Sequence, residues 1–111
     1  MKVEIREDIK HLRTERETLD ITNFKEFKQE VNTILEVGDQ IVLDLSSLRF
    51  VDSAGLGVIL SVLRFLNENN GKLVIWGMRK PVQNLFSLVR LHRLIDFFET
   101  KEDAVAALKE S

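Results

Sequence analysis

The segment that most constrains the fold is Ile41–Gly57, IVLDLSSLRFVDSAGLG. Its first five residues, Ile41-Val42-Leu43-Asp44-Leu45, are almost continuously apolar, the pattern of a strand buried on both faces. A polar loop over 46–52 follows. An apolar helical repeat then runs from about Ala54 to Glu68, with Leu56, Ile59, Leu60, Leu63 and Leu66 on its inner side. A strand that needs cover on both faces and feeds a helix directly is the building unit of a layered α/β fold. The loop also delivers Asp52-Ser53 to the start of that helix. Unpaired backbone N–H groups and the positive end of the helix dipole favour negative charge there. Ser53 is therefore a candidate phosphate acceptor. Serine is also a favoured N-cap, and the two roles are compatible.

The remaining pattern alternates strands with helices. Val3 and Ile5 alternate with charged residues, which predicts a short half-buried strand. Ile9 and Leu12 do not alternate, and charge dominates from Asp8 to Thr18, so that stretch is expected to be an exposed edge strand. Phe24, Phe27, Val31, Ile34 and Leu35 form one helical stripe. Thr22 or Asn23 can cap it, Glu26 suits a capping box, and Gly38 is expected to close it. Asn69-Asn70-Gly71 ends the central helix. Lys72–Trp76 is a third core strand. Pro81 opens a helix whose buried side is Val82, Leu85, Phe86 and Val89. Ile95–Phe98 is a last strand, and Thr100 caps a terminal helix bearing Ala104, Val105 and Leu108. Helices between strands imply parallel neighbours with right-handed crossovers. The N-terminal hairpin adds antiparallel pairing. The expected architecture is a mixed sheet of about five strands, the central ones parallel, with about four helices mainly on one face.

Composition narrows the function. A chain of 111 residues, 44% apolar, reads as one domain with a real core. The net charge of −2, with both signs interspersed, argues against nucleic-acid binding. The chain has no cysteine, which removes disulfides, zinc–thiolate sites and thiol catalysis. No apolar run approaches the roughly 20 residues that span a bilayer, and MKVEIREDIK lacks the apolar centre of a signal peptide. The expectation is a cytoplasmic protein without membrane insertion.

The run D-L-S-S-L-R-F-V-D-S-A-G-L-G at 44–57 strongly resembles the signature of STAS domains, specifically the free-standing bacterial anti-sigma factor antagonists. Gly71-Lys72-Leu73, Pro81 and Leu91-His92-Arg93-Leu94-Ile95 resemble the same family, so the likeness extends over about 19–108. It implies a regulatory switch. Such proteins bind an anti-sigma factor and so release a sigma factor. The anti-sigma factor is also an ATP-dependent serine kinase that phosphorylates the motif serine, here Ser53, and a serine phosphatase reverses this. Asp20 and Asp52 match aspartates flanking the acceptor. Gly55 and Gly57 match glycines of the helix start, and Ala54 and Leu56 complete the motif. No cofactor is implied on this chain, since Mg²⁺ and ATP belong to the kinase. Two positions depart from the family. Glu15-Arg16-Glu17 stand before Leu19-Asp20, and Arg90 stands where a glycine is common.

Other chemistry reads weakly. Asp20, Asp44 and Asp52 near strand ends could hold Mg²⁺, but loop capping and orientation of Ser53 explain them better. Val51 occupies the position where a nucleophile elbow needs glycine, so no hydrolase motif is present. His11 and His92 read as solvated, and Trp76 and Phe97-Phe98 as packing. Gly55 and Gly57 serve either partner approach or helix-on-sheet packing. An alternative within the family is a STAS subunit of a bacterial membrane lipid-transport ABC complex, which would dock without modification of Ser53. A monomer is expected, with dimerisation through the edge strand as the competing state.

Overall fold

A computed structural model describes residues 1–110. Its elements are β1 (Lys2–Arg6), β2 (Ile9–Arg13), β3 (Thr18–Leu19), α1 (Phe24–Asn32), β4 (Gln40–Asp44), β5 (Phe50–Val51), α2 (Ser53–Glu68), β6 (Lys72–Trp76), α3 (Lys80–Leu88), β7 (Asp96–Phe98) and α4 (Lys101–Glu110), with a 3₁₀ turn at Leu91–Arg93. The main sheet runs β1-β2-β4-β6-β7. Only β1 and β2 are antiparallel; the other neighbours are parallel.

The alternation within β4 and β6 decides which helices cover which face. Leu12, Ile41, Leu43, Leu73 and Ile75 point into the large core, where Phe27 and Val31 of α1, the apolar side of α2, and Val82 and Phe86 of α3 meet them. Ile9, Val42 and Val74 point to the opposite face and pack on Ala104 and Leu108 of α4. The continuous apolar run in β4 thus has its reason: α4 supplies the second cover. Thr100 caps α4, with Asp103 N–H donating to Thr100 Oγ1 at 3.2 Å.

Several expectations are corrected. β1 is exposed along its whole length, with Ile5 at 66%, because no helix reaches beyond β2. β2, expected at the edge, is interior. Ile9 and Leu12 fail to alternate because each is buried on a different face. α1 stops at Asn32, and Gly38, at φ 82°, serves the turn into β4 instead. Ile34 and Leu35 still pack on the core from outside the helix. Asn23 makes no side-chain cap, and Glu26 pairs with Arg16 at 3.4 Å rather than closing a capping box. Arg16 also reaches Glu30 at 2.8 Å, so part of the charged run at 15–17 fastens β3 to α1. Val89 is 49% exposed and lies past the end of α3. Arg90 stands at φ 62°, ψ 26°, the left-handed conformation that the missing glycine would take freely.

His11 is half-buried rather than solvated, on the α4 side of β2 beside Val42. Its Nδ1 is buried without a hydrogen-bond partner. Burial, then the positive charges of Lys101 and Arg6, hold its pKa below the ordinary value. Protonation therefore favours the unfolded chain. The stabilising share of neutral His11 is complete above the unfolded pKa of about 6.5 and is lost as pH falls toward the lower folded value. Urea midpoints measured at pH 7 and pH 5 will drop less on acidification in His11→Gln than in the parent protein. Separately, Arg90→Gly will stabilise the fold by about 1 kcal/mol, because relief of the left-handed strain exceeds the added chain entropy; a urea midpoint that falls instead would refute this.

Candidate functional site

The site is built where β3 and β5 lie side by side as a small parallel pair, Thr18 opposite Phe50 and Leu19 opposite Val51. This pairing was not legible from either two-residue segment. It brings the two aspartates that follow the strands, Asp20 and Asp52, to one place. Asp52 N–H donates to Leu19 O at 3.2 Å. The Asp52 carboxylate then does two jobs. One oxygen accepts from Gly55 N–H at 3.0 Å and caps α2, and the other accepts from Ile21 N–H at 2.9 Å. Asp52 is the cap, and Ser53 is the first helical residue. The hydroxyl of Ser53 is thereby spared that duty.

Asp20 holds the other side. Its carbonyl accepts from Asn23 N–H at 3.1 Å and Phe24 N–H at 2.9 Å, starting α1. Its carboxylate accepts from the Thr22 hydroxyl and from Thr22 N–H, and these two bonds hold its pKa below the usual carboxylate range. Asn23 locks the turn by accepting from Asp20 N–H at 2.9 Å and donating to Thr18 O at 2.8 Å. Asp44 accepts from Ser46 N–H at 2.8 Å, inside its own loop. The three aspartates are thus committed to different backbone donors. Among the described residues, no group of three or more acidic or histidine side chains is placed to hold a metal.

Ser53 and Gly57 are exposed, Ala54 is half-buried, and Gly55 and Leu56 are buried. Ser53, Ala54 and Gly57 share a groove of about 160 Å³ with Phe24, Lys28, Val58 and Ser61, between α1 and α2. The exposed side chains of Ile21 (67%) and Phe50 (53%) flank the aspartate turns. Ile21, Lys28 and Phe50 are the surroundings that sequence reasoning missed. Outward Phe50 beside inward Val51 was the one available signal. His11 lies on the far face of the sheet and His92 is exposed in the 3₁₀ turn.

The two glycines separate clearly. A Cβ on Gly55 would sit 2.2 Å from Leu19 O and 2.8 Å from a Val51 methyl, so Gly55 lets α2 rest against β3 and β5. A Cβ on Gly57 would meet nothing within 4 Å. The first is a packing glycine and the second a surface one.

Comparison with known proteins places this geometry. The family model described as STAS domain matches residues 1–104. The chain belongs to the STAS domain family. An anti-sigma F factor antagonist of Paenibacillus polymyxa is 31% identical over 71 residues, 64% of this chain and 61% of that relative. An anti-sigma-B factor antagonist of Staphylococcus aureus is 28% identical over 85 residues, 76% of this chain and 79% of the relative. The crystal structure of tm1081 from Thermotoga maritima superposes with a TM-score of 0.90 at 26% identity, covering 97% of this chain and 93% of that one. The STAS architecture expected from the Ile41–Gly57 run is the one observed. No helix among the described residues is long and apolar enough to cross a membrane.

The STAS helix start makes a direct contrast. Gly55→Ala will destabilise the protein by about 1–3 kcal/mol, the usual cost of forcing atoms into packed space. Gly57→Ala will be neutral or stabilising by up to about 1 kcal/mol, through helix propensity alone. Chemical denaturation of both variants reads the difference, and equal effects would contradict the geometry.

Proposed function

We propose that this STAS protein is a cytoplasmic anti-sigma factor antagonist. It binds an anti-sigma factor that is also a serine kinase, so releasing a sigma factor, and phosphorylation of Ser53 ends that binding. A serine phosphatase restores the free hydroxyl. The observation that carries this reading is the exposed Ser53 hydroxyl at the first turn of α2, left free because Asp52 provides the cap. The names of the curated relatives support the class of partner.

The roles follow from burial. Ser53, Ala54 and Gly57 form the surface on which a partner backbone can settle, with Ile21 and Phe50 as apolar contacts beside it. Asp20 and Asp52 fix the two helix starts. Gly55 and Leu56, being buried, hold the site's shape and do not touch the partner. Phosphate adds about −1.5 to −2 charges and three acceptor oxygens at a solvated position. The helix start stabilises it by roughly 0.3–2 kcal/mol in the free protein. A partner docked over Ser53 would have to strip water from the dianion. A few kcal/mol of that cost lowers affinity by two or more factors of ten, at about 1.4 kcal/mol per factor. The fold need not change.

Incubation with the cognate anti-sigma kinase and ATP, followed by mass spectrometry, will find phosphate on Ser53 alone and none in Ser53→Ala. Ser53→Asp will weaken kinase binding at least about tenfold. Phosphate elsewhere, or a stable complex with a transport ATPase indifferent to Ser53→Asp, would replace the antagonist reading with that of a transport subunit.

A further inference from the structure

Residues Leu88-Val89-Arg90-Leu91-His92-Arg93-Leu94 carry the chain from the end of α3 toward β7, and only Leu91 among them is buried. Leu88 is 79% exposed, Leu94 63% and Val89 49%. The turn is ordered by its own backbone. Leu94 N–H and Ile95 N–H both donate to Leu91 O, at 2.9 and 3.0 Å, and Arg90 N–H donates to Ser87 O at 3.0 Å. Neither Arg90 nor Arg93 has a carboxylate partner among the described residues. Three exposed aliphatic side chains and two guanidiniums without an ion-pair partner among the described residues therefore fall within seven residues of one hydrogen-bonded turn. Contiguous exposed apolar surface rimmed by polar groups marks interaction sites.

Arg90 adds a second observation. It holds the left-handed conformation that glycine adopts without strain, yet among the described residues its side chain has no hydrogen bond, ion pair or ring contact to repay that strain. Topology sets the location. Ser53 follows the C-terminal end of β4 through β5, while 88–94 precedes the N-terminal end of β7. β4, β6 and β7 are parallel, so the two sites lie at opposite poles of the sheet.

We propose that this patch is a second docking surface, occupied by an acidic amphipathic segment of a protein partner, and that it works regardless of the state of Ser53. Guanidinium forks match carboxylates in a bidentate way, and the aliphatic side chains match the apolar side of such a segment. An anionic membrane fits poorly. Surfaces of that kind gather four to eight Lys/Arg with deeper apolar insertion, whereas this turn offers two arginines on a chain of net charge −2.

The test titrates the full chain, ¹⁵N-labelled, with a synthetic helical peptide bearing leucines on one face and glutamates beside them. Amide shifts confined to 88–94 are expected. Affinity will fall about tenfold or more in Arg90→Glu/Arg93→Glu and at raised salt, and will be unchanged in Ser53→Asp. Arg90→Gly will weaken peptide binding while raising the melting temperature, an outcome that a purely structural arginine would not give. Melting curves show that each variant is folded. Absence of shifts at 88–94, binding to phosphatidylserine vesicles in place of the peptide, or self-association through this turn seen by ultracentrifugation would each overturn the proposal.

Discussion

The carboxylate of Asp52 is the interaction on which the functional end of this molecule depends. It accepts from Gly55 N–H on one oxygen and from Ile21 N–H on the other. A single side chain thus starts α2 and ties it to the segment that starts α1. A capping carboxylate at a helix start also complements the dipole. Because Asp52 performs both tasks, Ser53 can remain structurally idle at the surface. A residue with no structural duty can be chemically altered without cost to the fold, which is what a reversible signal requires.

Much of this was readable from the residues, and the reasons are physical. β4, β6 and α2 are long, apolar and bounded by turn residues, so their burial pattern is nearly a copy of their composition. The run at 44–57 named the STAS family because its Asp-Ser-Ala-Gly-Leu-Gly order is dictated by a cap, a free hydroxyl and a glycine under steric load. Gly55 shows that load directly, with Leu19 O 2.2 Å from where a methyl would stand.

The failures were equally physical. β2 looked like an edge because its two apolar residues serve opposite faces, and a period of two cannot reveal that. β3 and β5 hold two residues each, too short for any period, and are defined by pairing with each other across the fold. Asn23 looked like a cap by type, but its amide is taken by the Thr18–Asp20 turn. His11 looked solvated among charged neighbours until α4, some ninety residues later, was laid over it. Of the site's apolar surroundings, Ile21 belongs to a segment without a motif, and Phe50 lies inside the 44–57 run, where only its alternation with Val51 marks it as outward; the fold gathers the two.

The two sides of the sheet are unequally secured. Three helices share the large core on one side, while α4 alone covers the other through Ala104 and Leu108 against Ile9, Val42 and Val74. A terminal helix held by so small a cluster belongs to the low-stability end of a protein's local opening spectrum. It can peel away and return on its own while the larger layer, which carries α2 and Ser53, stays shut. In such a molecule the amide protons of α4 exchange with solvent long before those of α2.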